Sequence, residues 1–275
     1  MKKQISILGC GWLGLPLARH LLQNGWEVKG STTSPEKIKA LEIEGIDPFV
    51  IELLEDEIVG DVHGFLENSE LLIIDIPPGL RRDPNSDFIA KLKKLTEAIS
   101  ESKINKIIYV SSTGVFQDHE STPTYTEHYK FTPIEVENSQ LVHAEELLIN
   151  LKKVQSSVIR FGGLIGNDRH PVKYLSGKTG IKNPEAPINL IHLDNCILLI
   201  SEIIQQEKFG MVFHGVEDIK LSKEDYYTQK AKEFNLPIPE FGHETTSKGK
   251  HISMAWTSRI LEVNLEKKLY NKLIF

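Results

Sequence analysis

Three glycines near the amino terminus have the spacing of a turn that binds phosphate groups. Gly9, Gly11 and Gly14 follow directly on a short apolar run at residues 5–8, which we predict to be a strand. In a strand–turn–helix setting the first glycine permits a tight turn, the second lets a dinucleotide diphosphate approach the backbone, and the third lets helix and strand pack closely. N–H groups at the helix start then face the anion. The motif therefore predicts a dinucleotide-binding turn; a purely structural glycine turn is the alternative.

The end of the second predicted strand carries hydroxyl groups where a dinucleotide site often has a carboxylate. An acidic residue about 20 residues beyond the glycines usually holds the adenosine ribose hydroxyls, but residues 30–34 read GSTTS. Without a carboxylate to repel it, a ribose 2′-phosphate can be bound by Ser31, Thr32 and Thr33, together with Lys37 one turn later. This pattern weakly favours NADP over NAD as the cofactor. The alternative is that these residues only form a turn and a helix cap.

Composition and charge exclude several other classes of protein. The chain has 275 residues, 40% of them hydrophobic, and a formal net charge of −6, so it offers no general positive field for nucleic acid or an anionic membrane. Cys10 and Cys196 are too few for a disulfide framework and lack zinc-site spacing. The apolar run before Cys10 is too short for an export signal, and no segment is long enough to span a membrane. We expect a cytoplasmic protein with a small-molecule substrate and no metal.

Short β-branched runs alternate with helical patterns through the first 160 residues, which indicates an α/β protein with a parallel sheet. The predicted strands are residues 5–8, 26–29, 49–51, 71–76, 106–111, 157–161 and 211–214, and the predicted helices include residues 12–24, 194–205 and 222–234. Ser34 and Pro35 are typical of a helix start, with the serine oxygen as the cap. Residues 162–189 read as loops because they are rich in Gly, Pro, Lys and Asn, and the tail from Pro237 has little periodicity.

Longer motifs connect the chain to a known superfamily. With SSTGVF after the fifth predicted strand, RFGGLIG after the sixth and NLIHLDN before a helix, it resembles the extended short-chain dehydrogenase/reductases, which include NAD-dependent epimerases and dehydratases. The stretches GCGWLGLPLA, GWEVKGSTTSPEKI, GGLIGNDRHP, SGKTG and INLIHLDN are similar to its atypical YeeZ-like subgroup. The resemblance implies a Rossmann doubly wound parallel sheet over residues 1–165, completed by about residues 190–215. It also implies a small C-terminal substrate lobe at residues 166–189 and 216–275. Subunits of this superfamily commonly pair, so a homodimer is expected.

The resemblance also implies which residues line the cofactor. Asp75, Ile76, Pro77 and Pro78, at the end of the fourth predicted strand, should lie along it, and Ser111 ends the fifth strand. The full predicted cofactor set is Gly9, Gly11, Trp12, Leu13, Gly14, Ser31, Thr32, Thr33, Lys37, Asp75, Ile76, Pro77, Pro78 and Ser111.

Catalytic residues are expected just beyond that set. Ser112 stands four residues before Phe116, where the superfamily places the hydroxyl that hydrogen-bonds the reacting oxygen, and Thr113 follows it. A hydroxyl at the carboxyl end of a central strand is well placed for a substrate. The alternative is that Ser112 only satisfies backbone groups at the strand end.

The tyrosine and lysine that the superfamily uses for proton transfer are missing. The expected helix carries Glu145, and counting back from it places Glu137 at the tyrosine position and Leu141 at the lysine position. Two Tyr-x-x-x-Lys matches begin at Tyr174 and Tyr226, but both fall in the wrong element, and Tyr226 reads as a surface or packing residue. Other candidate proton donors follow the fifth strand, and they are Tyr125, His128 and Tyr129.

Cationic residues supply the candidates for substrate binding. Arg169 lies in the loop where extended family members meet the phosphate or sugar of their substrate, and a guanidinium can hold a carboxylate or phosphate bidentately. Arg169 and Tyr174 are therefore the predicted substrate-binding residues, with a surface or bracing role as the alternative. Arg160, His170, Lys173 and His192 are weaker candidates.

Two functions remain open from the sequence. The first is an NAD(P)-dependent oxidoreductase or epimerase-like enzyme that acts on a small polar substrate, anionic or nucleotide-linked. The second is a non-catalytic NAD(P)-binding sensor or regulatory protein, which the loss of both tyrosine and lysine would favour.

Overall fold

The computed structural model describes residues 3–80 and 83–265. By their contacts the residues form two compact units, each made from three stretches of chain. The first comprises Met1–Ser111, Lys130–Ile159 and Ile200–Val212, and the second comprises Ser112–Tyr129, Arg160–Leu199 and Phe213–Phe275. These two units are defined by contacts within the chain and not by bound ligands. The division into a cofactor-binding core and a substrate-binding lobe therefore stays a prediction.

The described chain alternates strands and helices. The strands are β1 Gln4–Leu8, β2 Glu27–Thr32, β3 Asp47–Val50, β4 Glu52–Leu53, β5 Ile58–Val59, β6 Leu71–Ile74, β7 Lys106–Ser112, β8 Thr124–Tyr125, β9 Gln155–Phe161, β10 Gly163–Ile165, β11 Leu190–His192, β12 Val212–Gly215 and β13 His251–Ile252. The α-helices are α1 Gly14–Gln23, α2 Ile38–Ile43, α3 Val62–Leu66, α4 Phe88–Ser100, α5 Pro133–Glu137, α6 Gln140–Ile149, α7 Val172–Leu175, α8 Leu193–Gln205, α9 Lys223–Glu233 and α10 Ala255–Leu261. Two short 3₁₀ turns lie at Pro35–Lys37 and Thr113–Val115.

Seven strands form the main sheet in the order β12-β9-β7-β6-β1-β2-β3. β1 pairs in parallel with both β2 and β6, β2 pairs in parallel with β3, and β6 pairs in parallel with β7. The chain therefore runs outward from β1 on one side and returns to its other side at β6. Such a reversal of strand order marks the crevice in which doubly wound proteins bind their ligands. The predicted doubly wound α/β fold is confirmed.

The core of the first unit forms around β1 and β6. All four side chains of β6 are buried, as expected for a central strand covered on both faces. Buried apolar residues of α3, α4 and α6 pack with them, among them Phe65, Leu92 and Leu148. Asp87 caps α4 by accepting a hydrogen bond from the Ala90 N–H at 2.9 Å, which satisfies one of the free donors at the helix start.

The second unit has a smaller core of its own. β10 pairs with β11 and β13 pairs with β8, both in parallel. Ile165, Val172, Leu190, Tyr226 and Tyr227 are buried together there. α9 lies within the helix predicted for residues 222–234, and the Ser222 hydroxyl caps it by accepting a hydrogen bond from the Asp225 N–H at 3.1 Å.

The structure corrects the sequence prediction around the second strand. β2 continues to Thr32, beyond the predicted end at residue 29, because residues 29–32 pair with β3. Ser34 was expected to cap a helix with its hydroxyl, but the hydroxyl makes no capping bond and a 3₁₀ turn follows before α2. The Ser34 N–H donates instead to the Thr32 hydroxyl at 3.1 Å.

Other corrections concern short elements. Residues 162–189 were predicted as loops but contain β10 and α7, and the tail from Pro237 contains β13 and α10. β6 ends at Ile74, two residues before its predicted end. These short elements pair with distant parts of the chain, so local periodicity carries little sign of them. Over residues 3–80 and 83–265, no helix has both the length and the apolar character required to cross a membrane.

Candidate functional site

The glycine turn connects β1 to α1, and two of its glycines are required by packing. Gly9 has φ +104°, and a Cβ there would lie 2.3 Å from the Asp75 carbonyl oxygen. A Cβ on Gly14 would lie 2.1 Å from the Gly9 carbonyl oxygen. Both distances are far shorter than any van der Waals contact, so the turn and the first residue of α1 leave no room for side chains. These positions match the roles expected of the first and third glycines.

Gly11 differs from Gly9 and Gly14, because a Cβ at this position would meet no atom of residues 3–80 and 83–265 within 4 Å, and its φ is outside the left-handed region. Gly25, Gly79, Gly180 and Gly210 also face open space, but each of these has a positive φ that favours glycine. Neither packing nor backbone strain within the chain therefore requires a glycine at Gly11. A ligand that approaches the backbone would require one, so the turn fits a dinucleotide diphosphate.

The start of α1 lies beside this open space. Its Gly14 N–H donates to Asp75, its Leu15 N–H donates to the Gly11 carbonyl at 3.1 Å, and Pro16 has no N–H. The helix dipole is therefore what this end of α1 offers to an anion.

Leu13 is the N-cap residue and makes no side-chain capping bond. Its side chain is buried, whereas Trp12 is half-buried, so Leu13 can meet a ligand only through its backbone.

The end of β2 is hydrogen-bonded to the glycine turn. The buried Ser31 hydroxyl accepts a hydrogen bond from the Gly9 N–H at 2.9 Å, and the Ser31 carbonyl accepts one from the Cys10 N–H at 2.7 Å. Thr32 is also buried, whereas Thr33 and Lys37 are exposed. Of the four residues predicted to bind a ribose phosphate, Ser31 and Thr32 are therefore buried within the protein, whereas Thr33 and Lys37 face solvent. That predicted role stays a prediction.

Asp75 brings a carboxyl group to the same turn. The Gly14 N–H donates a hydrogen bond to it, and burial nevertheless raises the pKa of Asp75 to about 7. Burial and the Asp75 charge together raise the pKa of the Cys10 thiol to about 12, which keeps this thiol protonated. Asp75 was expected along the cofactor, but its contact with Gly14 could not be read from the sequence. Of its predicted companions, Ile76 and Pro78 are half-buried and Pro77 is exposed.

The end of β7 holds the hydroxyl residues predicted for cofactor and substrate. The Ser111 hydroxyl donates to the Glu145 carboxylate at 2.6 Å in a buried pair. The exposed Ser112 hydroxyl accepts a hydrogen bond from the Gly114 N–H at 3.0 Å, and Thr113 is buried. Ser112 thus satisfies a backbone group, as its alternative reading required, and its own hydroxyl proton is still available to a substrate.

The helix that should carry the catalytic tyrosine and lysine carries neither. Glu137 is exposed at the end of α5, and Leu141 is half-buried in α6. The buried acid of α6 is Glu145, which was used only as a counting reference and was missed as a structural residue. Its signal was a carboxylate on an otherwise apolar helix face, which needs a buried partner.

The predicted substrate-binding residues lie on the surface of the second unit. Arg169 is exposed, and its backbone closes a tight turn with Gly166 through hydrogen bonds of 2.8 and 3.2 Å. Tyr174 is 74% exposed. His170 is buried instead: its Nδ1 accepts from the Val172 N–H, and its Nε2 lies 3.0 Å from the Tyr226 hydroxyl. Burial lowers the pKa of His170 to about 4, so this pair is part of the core, as expected for Tyr226.

A second buried network joins other candidates within the same unit. The Arg160 guanidinium lies 3.4 Å from Nε2 of His214 and 5.1 Å from the ring centre of Phe116. Nδ1 of His214 lies 2.8 Å from the Ser253 carbonyl, and burial lowers the pKa of His214 to about 4. Arg160, a weak candidate for ligand binding, is therefore a buried residue.

The tyrosine and histidine candidates after β7 divide by exposure. The Tyr125 hydroxyl donates to the Gln117 carbonyl at 3.2 Å and its ring stacks on Phe116. Tyr129 is half-buried, and His128 is exposed beside Trp256.

His192 stands at the predicted junction of β11 and α8. Its backbone N–H donates to the Glu217 carboxylate at 3.0 Å, and Asn195 donates a short hydrogen bond to the same oxygen. Burial raises the pKa of Glu217. This arrangement ties the start of α8 to Glu217.

One group of residues in the second unit could hold a cation. Glu185, Glu224 and His243 each place one ligand atom within 4.8 Å of the others. Glu185 and His243 are exposed and Glu224 is half-buried. The sequence led us to expect no metal, and that expectation stays a prediction, because exposed acidic groups commonly cluster without an ion.

A doubly wound sheet with a glycine turn open to a diphosphate defines a nucleotide-binding protein of the Rossmann class. Residues 9–189 match the family model described as NAD(P)H-binding. Protein YeeZ of Escherichia coli K12 is 32% identical over 254 residues, covering 91% of each chain. The sterol-4-alpha-carboxylate 3-dehydrogenase (decarboxylating) of Dictyostelium discoideum is 23% identical, covering 84% of this chain and 76% of the relative.

Solved structures share the fold. A UDP-glucuronic acid 4-epimerase from Bacillus cereus, in complex with NAD, has a TM-score of 0.71 at 15% identity and covers 95% of this chain and 93% of its own. The chain belongs to the NAD(P)H-binding family and is a homologue of Protein YeeZ.

Proposed function

We propose that this protein is an NAD(P)-dependent enzyme that oxidises, reduces or epimerises a small polar substrate. The observation that carries the proposal is Gly11, which no contact within the chain explains and which an approaching diphosphate would explain. Support also comes from the dehydrogenase and epimerase among the similar proteins.

The bound nicotinamide would supply hydride transfer, and the protein would supply binding, orientation and proton transfer. In the proposal, the turn from Gly9 to Gly14 binds the diphosphate, and the Ser112 hydroxyl orients the reacting oxygen with help from Thr113. Arg169 holds an anionic or nucleotide-linked part of the substrate, next to Tyr174. The proton comes from water or from a residue other than the missing tyrosine.

Binding tests the central step. We expect wild-type protein to quench or enhance the fluorescence of NADH and NADPH, and Gly11→Val to weaken both affinities at least about 100-fold because its methyl groups fill the diphosphate position. Gly11→Ala should lie between the two. Unchanged circular dichroism and melting temperature in Gly11→Val would show that the loss is not unfolding. Equal affinities in all three proteins would refute the proposal.

The preference for NADP is part of the proposal and rests on the exposed Thr33 and Lys37. Lys37→Ala should weaken NADPH binding about tenfold and leave NADH binding unchanged, because only NADPH carries the 2′-phosphate. Lys39→Ala is the matched control, since Lys39 is also an exposed lysine of the same segment. An equal loss for both cofactors, or tighter NADH binding by wild-type protein, would contradict the preference.

The second candidate function is a non-catalytic NAD(P)-binding sensor. Glu137 and Leu141 at the places of the catalytic pair favour it. A screen of alcohols, aldehydes and sugar nucleotides, followed by the near-ultraviolet absorbance of reduced nicotinamide, separates the two. Turnover that disappears in Ser112→Ala supports the enzyme, and cofactor binding without any turnover supports the sensor.

The setting of the protein also belongs to the proposal. We infer a cytoplasmic protein that binds neither nucleic acid nor membranes, on the basis of its charge and its cysteine content. We infer a homodimer only on the basis of its resemblance to a superfamily whose subunits commonly pair. Light scattering after gel filtration tests the dimer, and a monomeric mass at working concentration would remove it.

A further inference from the structure

The carboxyl group of Asp75 lies at the start of α1, where an anionic ligand would bind. Asp75 directly follows β6, and its backbone N–H donates to the Leu8 carbonyl at 2.9 Å. The Gly14 N–H donates to its carboxyl group, and a Cβ built on Gly14 would lie 3.2 Å from Oδ2 of Asp75. The first residue of α1 therefore already contacts an acid of the protein.

This placement creates a conflict of charge. The start of a helix favours one negative group through its dipole. An ionised Asp75 and a dinucleotide diphosphate would both use the same end of α1, and two anions this close repel each other, most strongly where water is excluded. A protonated Asp75 would remove the repulsion.

The surroundings of Asp75 place the titration of its carboxyl group near neutral pH. Burial raises its pKa to about 7, against the lowering effect of the Gly14 N–H. From the β1–α1 turn it meets the Cys10 thiol, which stays protonated. Neighbouring strand β7 contributes Tyr109, opposite Ile74 of β6, and burial together with Glu145 raises the pKa of that phenol. Within residues 3–80 and 83–265, β1 and α1 bring only the Leu8 carbonyl and the Gly14 N–H to Asp75.

We propose that Asp75 makes cofactor affinity depend on pH, because the dinucleotide binds beside the protonated carboxyl group and its binding takes up one proton. The proposal rests on the proposed function, since it needs a dinucleotide at the turn from Gly9 to Gly14. In the reaction, the ionised carboxylate, one proton from solvent and the dinucleotide give the complex with a neutral carboxyl group.

The sign of the effect follows from linkage. A neighbouring diphosphate raises the pKa of Asp75 in the complex above its value in the free protein. Affinity is then highest below about pH 7, where both states are protonated, and falls as pH rises from the free-state pKa towards the bound-state pKa. A purely structural Asp75, acting only as the cap of α1, would affect stability and leave the pH dependence of binding flat.

The test measures the dissociation constant of NADH, which lacks the titrating 2′-phosphate, from about pH 6 to about pH 9 at fixed ionic strength. For the wild-type protein we expect the constant to rise by up to about tenfold per pH unit above neutrality, the limit for one proton. Asp75→Asn keeps an oxygen that can accept from Gly14 and carries no charge, so its constant should stay low and flat. Asp87→Asn is the matched control, because Asp87 caps α4 in the same way, and it should retain the wild-type slope.

Calorimetry of NADH binding in two buffers of different ionisation enthalpy counts protons on the wild-type protein alone. We expect uptake near zero well below neutral pH and approaching about one proton per cofactor above it. This count keeps the test valid even if Asp75→Asn fails to fold. No NADH binding at any pH would overturn the proposed function. Three results would overturn only the role of Asp75. They are a wild-type dissociation constant that does not change with pH, NADH binding without proton uptake, and a pH dependence that persists in Asp75→Asn.

Discussion

The first unit contains a carboxyl group, Asp75, whose pKa is raised by burial, and the second unit contains two histidines, His170 and His214, whose pKa values are lowered by burial. In the first unit, Asp75 accepts an N–H from Gly14, and burial raises its pKa to about 7. In the second unit, His170 and His214 each have contacts at both ring nitrogens. Burial lowers the pKa of both histidines to about 4, so they stay neutral.

This difference separates structural burial from burial at a candidate ligand site. Neutral histidines with contacts at both nitrogens are compatible with a permanently dry interior. A carboxyl group at the start of a helix, beside a glycine that packing does not require, is in a place that a ligand would change. Polar groups whose charged form is destabilised by their surroundings are expected at functional positions.

The largest effect should come from the packing of the glycine turn. Gly14→Val should lower the free energy of unfolding by about 4 kcal/mol, because its Cβ would collide with the Gly9 carbonyl. Gly11→Val, in open space, should change it by less than about 1 kcal/mol. Urea unfolding measures both. A similar loss in the two variants would mean that Gly11 is also a packing residue, and it would weaken the argument for a ligand.

The next effect is the acid sensitivity of the second unit. A histidine with pKa about 4 when folded and about 6.5 when unfolded contributes stability above pH 6.5 that is lost as pH falls towards 4. The loss is about 3 kcal/mol for each of His170 and His214. His170→Asn keeps an acceptor for the Val172 N–H and cannot titrate, so its loss of stability between about pH 6.5 and about pH 4 should be about 3 kcal/mol smaller than that of wild-type protein. Urea unfolding midpoints across this pH range measure the effect, and an equal pH dependence in His170→Asn and wild-type protein would contradict the prediction.

The first unit should respond to pH in the opposite direction. Asp75 binds its proton more tightly when folded than when unfolded, where its pKa is about 3.9, so the protein loses stability as pH rises from about 4 to about 7. Asp75→Asn should therefore be more stable than wild-type protein at about pH 8, by about 4 kcal/mol. At about pH 4 this advantage should be absent. An advantage that does not depend on pH would mean that charge is not its cause.

The smallest effect concerns the support of the turn by β2. Ser31→Ala removes the acceptor of the Gly9 N–H and should cost about 1 kcal/mol, with weaker cofactor binding. Ser34→Ala is its control, because the Ser34 hydroxyl makes no capping bond, and it should lie within about 0.5 kcal/mol of wild type. Equal costs for both serines would remove Ser31 from the cofactor turn.

Much of the fold could be predicted because its signals are local. Glycine spacing, strand–helix alternation and the absence of tyrosine and lysine at residues 137 and 141 are all read from neighbours in the chain. Strand and helix periodicity survives folding because each element must bury one face or both. The sequence by itself thus determined the parallel α/β class and the place of the glycine turn, and the resemblance to a known superfamily implied the doubly wound order.

Tertiary structure alone decided what the polar side chains do. Ser31 supports Gly9 from 22 residues away, and His170 meets Tyr226 across 56 residues. Asp75 reaches Gly14 only because β1 and β6 are neighbours in the sheet. The type of a residue states which bonds it can make, but burial and the choice of partner depend on which distant strands lie side by side. That choice is made by the whole chain when it folds, since hydrophobic burial has no direction of its own.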